Sequence, residues 1–289
     1  MIEVIGDRIN PGFKATGALV EASDLAGLQA LAVKQVEAGA VALDFTLGPR
    51  GKRDPGFLVQ AIRAVQDAVD VPLCFDYPDA AVQETCLKAY DPEKARGAKP
   101  IINSLAETRW GMTALLDSRP CRVMVMASER LEDSMGRPNK TAAEIASTGK
   151  RCALRLMRSH GLAPGDIIVD ISVSALAADT AGLNRAALDA IGQLGSDPEL
   201  KGIHISGGLT NIGQQLPPKA ADGSDLKRQL ERAFVTVAAP LGFDTVLGTP
   251  WHSFEPLPED NPVLVQFRHI LTLNGTDVMR AVRKLYRPA

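Results

Sequence analysis

The chain has 289 residues, 45% of them hydrophobic, and a formal net charge of −2. That is enough chain to bury one large core. It carries no basic excess for a nucleic-acid partner and no apolar run long enough to cross a bilayer. The four cysteines, Cys74, Cys86, Cys121 and Cys152, and the four histidines show neither a CxxC pair nor a zinc-ligand spacing. This pattern predicts reduced core thiols, a cytoplasmic protein and no bound metal.

The N-terminus, MIEVIGDRIN, reads as a strand over Ile2–Gly6 and not as a signal peptide. Leu25, Leu28, Leu31, Ala32 and Val36 then recur at helical spacing, between a start at Asp24 and a stop at Gly39. A strand over Val41–Thr46 leads to a second stripe of Leu58, Ile62, Val65 and Val69. Strand Val71–Asp76 is followed by a helix that Asp79 caps, with Val82, Cys86 and Ala89 on one side. Strand Lys99–Asn103, a helix over 105–117 and strand Cys121–Ala127 come next. Thr141 and Gly161 bracket a helix over 140–160. Strand Asp166–Ile171, a helix over 181–194 and strand Gly202–Ser206 follow. The chain closes with a helix over 224–239 started by Ser224, strand Thr245–Gly248, and a helix over 261–285.

The eight strand runs are rich in Val and Ile and mostly apolar on both faces, as buried parallel strands are. Alternating with helices, they predict an α/β fold, a (β/α)8 TIM barrel forming a single domain over 1–289. Three connections are long enough to carry function: Ser128–Lys140, Gly207–Gly223 and Thr249–Asn261.

Active sites of such barrels lie at the C-terminal ends of the strands. In strand order, those ends offer Asp7, Arg8 and Asn10; Asp44 and Thr46; Asp76; Asn103 and Ser104; Ser128 and Glu129; Asp170 and Ser172; then Thr249 and His252. Carboxylates and amides dominate, and cations are few. Such a ring suits a planar heterocycle bearing an amino group and a ring N–H, pterin-like or guanine-like, better than a phosphate. A lone Asp at a strand end often only caps a helix. Recurrence at Asp76, Asn103, Asp170 and Asn211 favours a site. For Asp44, a structural role and a ligand-ordering role stand equally. His204, inside the seventh strand run, reads as a packed core residue. The segment SGGLTNIGQQLP (206–217) is uncharged, so its glycines suit a close turn over a flat ligand rather than a phosphate loop.

Six motifs, IGDRIN (5–10), EAGAVALDFTLGP (37–49), LCFDYP (73–78), IINSLAE (101–107), DIIVD (166–170) and GLTNIGQ (208–214), fall in order at the predicted strands. Together they resemble the methyltetrahydrofolate:corrinoid methyltransferases, pterin-binding barrels related to dihydropteroate synthase and to the folate module of cobalamin-dependent methionine synthase. The resemblance implies pterin contacts for Asp76, Asn103 and Asp170. It places Asn211 beside N5 of the folate as the catalytic residue, with Gln214 near it. Thr46 stands where the family usually has Asn, so a hydroxyl replaces that amide or the contact is lost. Asn10, in IGDRIN, is a further candidate for the folate site. The implied reaction moves a methyl group between N5 of tetrahydrofolate and the cobalt of a corrinoid (cobalamin). No Asp-x-His-x-x-Gly signature is present, so the corrinoid is expected on a separate protein or free in solution. The resemblance also implies a homodimer. GTPWHSFEPLPEDNP (248–262) departs from the family pattern. The alternatives are a non-catalytic folate-binding subunit and a dihydropteroate synthase-like enzyme. Against the second stands the lack of a Ser-x-Arg element after the eighth strand.

Overall fold

Strands that are apolar on both faces must lie between two apolar layers, and here they close on themselves. The structure, a computed structural model, describes residues 2–287; Met1, Pro288 and Ala289, which the expected domain over 1–289 also includes, lie outside the described residues. The strands are β1 (Glu3–Ile9), β2 (Ala42–Phe45), β3 (Leu73–Asp76), β4 (Ile101–Leu105), β5 (Arg122–Met126), β6 (Glu129–Glu132), β7 (Met135–Pro138), β8 (Ile167–Asp170), β9 (His204–Gly208) and β10 (Thr245–Gly248). All but β6 and β7 join a closed barrel in the order β1-β10-β9-β8-β5-β4-β3-β2, with every pairing parallel. The expected (β/α)8 barrel is therefore present. Among the described residues no helix is long and apolar enough to cross a membrane.

Side chains alternate across a strand with period two. On the inner face, Ile5, Ala42, Cys74, Ile101, Met124 and Ile168 form one buried cluster, with Leu247 packed on it. On the outer face, Leu43, Phe45, Phe75, Ile102, Val123, Val125, Ile167 and Val169 join the main core beneath the helices. Two residues further along each inner row stand Asp7, Asp44, Asp76, Asn103, Met126, Asp170 and Thr249. The apolar cluster is thus the floor of the barrel mouth, and the polar row is its rim.

The predicted caps at Asp24, Asp79 and Thr141 are in place. Asp24 accepts from the Gly27 N–H, Asp79 from Ala81, and Thr141 forms a capping box with Glu144. Other boundaries differ. Asp225, not Ser224, caps the helix Leu226–Ala238, because the Ser224 hydroxyl donates to Asp222 instead. The helix expected over 261–285 is two, Pro262–Leu271 and Thr276–Arg283, parted at Gly275, whose φ of 60° is costly for other residues. Glu107–Asp117 is a 3-10 segment broken at Arg109 (φ −125°, ψ 31°). Ser128–Lys140 holds the antiparallel hairpin β6–β7. Its charged, exposed residues give no period-two apolar pattern to read.

The largest correction concerns β9. It runs on through the glycine doublet to Gly208, so Gly207 and Gly208 are strand residues. A Cβ on Gly207 would stand 3.0 Å from the Ile171 carbonyl oxygen, which explains the glycine. His204 consequently opens the strand at the bottom of the barrel. It is not packed in the apolar core, since its Nδ1 hydrogen-bonds Asp244 at 2.9 Å.

Gln83, wholly buried on the helix Ala80–Ala89, ties the rim together. Its Nε2 lies 2.7, 3.0 and 2.9 Å from the carbonyl oxygens of Phe75, Tyr77 and Asn103. Gln83→Leu should strand these acceptors and destabilise the fold by about 1–3 kcal/mol. Urea unfolding monitored by circular dichroism reads this, and an unchanged midpoint would show that the rim does not need the amide.

Candidate active site

Each carboxylate on the rim except Asp76 takes a hydrogen bond from a neutral group on another strand or loop. Thr249 Oγ1, just past β10, donates to Asp7 Oδ1 at 3.2 Å. Asn103 Nδ2, on β4, donates to Asp44 Oδ1 at 3.1 Å, reaching across β3. Ser206 Oγ, on β9, donates to Asp170 Oδ1 at 3.1 Å. Asp76 is level with Asn103 in the β3–β4 register. Asp7, Asp44 and Asn103 are buried, whereas Asp76 and Asp170 are half-buried.

The structure therefore gathers Asp76, Asn103 and Asp170, expected from the sequence, into one ring with Asp7 and Asp44. Asn211 and Gln214 lie at its edge. Asn211 ends the turn Leu209–Asn211 that follows β9 and is exposed. A Cβ placed on Gly208 would lie 3.5 Å from Asn211 Nδ2, so the amide nitrogen folds back over the strand end. Gln214 Nε2 donates to Asn211 Oδ1 at 2.7 Å. Thr46 and Asn10 are engaged within their own loops. Thr46, 6% exposed, accepts from the Gly48 N–H at 3.0 Å, and Asn10 accepts from the Gly12 N–H at 2.9 Å. His252 leaves the strand ends and hydrogen-bonds the buried Glu231 at 3.2 Å. Among the described residues, no group of three or more His, Cys, Asp or Glu stands close enough to hold a metal ion.

The pattern of a pterin-binding enzyme family matches residues 17–247. The chain belongs to that family. Among relatives, a methylcorrinoid:tetrahydrofolate methyltransferase of Eubacterium limosum is 27% identical over 253 residues, 86% of this chain and 84% of that protein. Among solved structures, dihydropteroate synthase of Xanthomonas albilineans with 4-aminobenzoic acid aligns at a TM-score of 0.57. It is 18% identical and covers 98% of this chain and 93% of its own. Dihydropteroate synthase of Thermus thermophilus aligns at 0.56, also 18% identical, over 94% and 91%. At that identity the two structures share the barrel fold.

Sequence reasoning missed two members of this barrel mouth. Met126 fills the place on β5 where the other strands bring a polar group, and period-two counting from Met124 would have found it. Arg109 reaches the same place from the chain after β4, with Nη2 3.1 Å from Met126 Sδ and 3.4 Å from Ser104 Oγ. Nothing in AETRW marks that reach.

Burial dominates the electrostatics. It pushes Asp7 up to about 6, against the opposing pull of Arg8 and the Thr249 bond. It pushes Asp170 up to about 6, with Ser206 opposing and Asp76 adding to the rise. Burial, and then the charge of Asp76, holds Asp44 well above the carboxylate range. Burial also raises Asp76, and Arg109 opposes that rise.

A carboxyl raised in the folded state binds its proton more tightly there than in the unfolded chain. Its stabilising contribution is complete below the unfolded value near 3.8 and is lost as pH rises through about 6. The ligand-free protein should thus lose stability between these two values. Asp170→Asn keeps an acceptor for Ser206 and removes the charge. It should stabilise the ligand-free protein at pH 8 by about 1–3 kcal/mol, with the gain fading below pH about 5. Thermal melts across pH measure this, and a gain independent of pH would refute the electrostatic cause.

Proposed function

We propose that this protein transfers a methyl group between N5 of tetrahydrofolate and the cobalt of a corrinoid carried on a separate protein or free in solution. The observation that carries the reading is the ring of Asp44, Asp76, Asn103 and Asp170 with an exposed Asn211 at its edge. The similarity of the Eubacterium limosum methyltransferase over 86% of this chain supports it. Carboxylates at Asp76 and Asp170 suit the N–H edge of a pterin, and Asn103 can donate and accept at once. The methyl-bearing nitrogen would then face the edge of the mouth where Asn211 stands.

The chemical difficulty is the leaving group. An amine departs poorly unless its developing lone pair gains a hydrogen bond or a proton. Gln214 occupies Asn211 Oδ1, which leaves the Nδ2 hydrogens to serve as donors. An amide is too weak an acid to supply a proton itself, so Asn211 orients N5 and stabilises the departing amine, and water delivers the proton. The corrinoid supplies the cobalt that accepts or gives the methyl. The same contacts serve both directions of transfer, as microscopic reversibility requires.

The reading includes a cytoplasmic homodimer. The four cysteines are free and buried, which suits a reducing compartment. Dimerisation rests on the resemblance, and light scattering tests it.

A spectrum tests the activity directly. Mixing the protein with Co(I) corrinoid and methyltetrahydrofolate should produce methyl-Co(III) absorbance. Asn211→Ala should slow the transfer by about 10²-fold with little change in folate affinity, and Asp170→Ala should weaken folate binding by about tenfold or more. Folate binding without any exchange, in either direction and with any corrinoid carrier, would instead mark a non-catalytic folate-binding subunit.

A further inference from the structure

Arg109 occupies the one gap in the polar ring. β5 brings Met126 to that position, and the 3-10 segment after β4 breaks at Arg109 and sends its guanidinium there. Its own contacts do not account for the charge. A thioether sulfur at 3.1 Å and a hydroxyl at 3.4 Å are weak partners for a guanidinium, and Nε is buried without a partner. The surrounding charges do account for it. Asp44 from β2, Cys74 and Tyr77 from β3 and its exit, Asp170 from β8 and, through Asp44, Asp7 from β1 are the titratable groups around Asp76. All of these are acidic. Arg109 contacts Ser104, the residue after Asn103, and Asn103 is level with Asp76 on the neighbouring strand, which is the geometry through which its charge acts on Asp76.

Two neighbouring carboxylates away from bulk water do not both ionise readily, so environment decides which one holds a proton. The two here are unequal. Asp44 is 2% exposed, and its polar neighbours are the neutral Asn103 amide and the Cys74 thiol. Asp76 is less deeply buried and has Arg109 acting on it. We propose that Arg109 is a positioning residue that keeps Asp76 in its anionic, acceptor form for a ring N–H while the proton of the pair stays on Asp44. The inference rests on the pterin-site reading above and extends it, since it assigns a protonation state and the group that maintains it.

The test is the pH dependence of methyltetrahydrofolate affinity, measured by calorimetry between pH 5 and 8. Wild-type affinity should fall on acidification. Arg109→Gln should move the midpoint upward by on the order of one pH unit, whereas Arg109→Lys should leave it near the wild-type value. A Gln variant weakened equally at every pH, with its midpoint unmoved, overturns the inference, because Arg109 would then merely pack the mouth or touch the ligand. A second measurement needs no Arg109 variant. Carbon-13 NMR of the carboxyl groups in the wild-type protein, assigned with Asp44→Asn and Asp76→Asn, should show Asp76 titrating below Asp44, and the reverse order overturns the inference. If the wild type binds no folate at any pH, the pterin reading fails, and the carboxyl order still decides whether Arg109 holds the charge on Asp76.

Discussion

Four carboxylates converge on the mouth of a closed barrel, and the cost of holding them there shapes everything around them. Closure leaves no freedom in the matter. Once Ile5, Ala42, Cys74, Ile101, Met124 and Ile168 face inward as an apolar floor, the residue two positions later on each strand must face inward as well. On β1, β2, β3 and β8 that residue is Asp. Desolvation raises all four, so the ligand-free mouth is an acceptor surface held at a thermodynamic disadvantage. Donors on a bound ligand relieve it. Function-bearing sites commonly carry such a penalty, and here its source is identifiable atom by atom.

The rest of the fold is arranged to hold that surface still. Neutral donors from Thr249, Asn103 and Ser206 orient three of the carboxylates without neutralising them. Two buried amides fasten the rim from behind. Gln83 gathers the carbonyls at the ends of β3 and β4. Gln35 Oε1 accepts from the Arg8 N–H at 2.9 Å at the end of β1. Gly6 lacks a side chain because a Cβ there would stand 2.6 Å from that same Gln35 oxygen. These contacts are local, directional and buried, which is the setting in which a hydrogen bond contributes most to unique geometry.

The barrel was legible in the sequence because its signal is regional. Eight Val/Ile-rich runs and the helical stripes between them survive errors of several residues at each boundary. Part of the polar ring was legible for the same reason, since Asp76, Asn103 and Asp170 each stand at or beside the end of a run. Features set by single contacts were not legible. The extension of β9 to Gly208 depends on the approach of the Ile171 carbonyl, which no local pattern encodes. The shift of the helix start from Ser224 to Asp225 depends on the competing acceptor at Asp222. Arg109 was invisible because its function depends on a hole left by Met126 on a different strand. A residue that completes a ring from outside it has no periodic signature.

That hole also bears on why the site reads as one for a heterocycle and not a phosphate. A phosphate site concentrates N–H donors and cations around one centre. Here the guanidinium of Arg109 touches Met126 and Ser104, and its charge acts on Asp76 rather than on open space. The glycine doublet, which in a loop would suggest an anion nest, is strand, so its N–H groups serve the sheet. Among the residues exposed past the end of β9 is Asn211, with its oxygen fixed by Gln214 and its nitrogen turned back over Gly208. Acceptors line the rim of the mouth and one amide donor stands at its edge. A flat ring with N–H groups on one side and a reactive nitrogen on the other satisfies both ends of that arrangement at once.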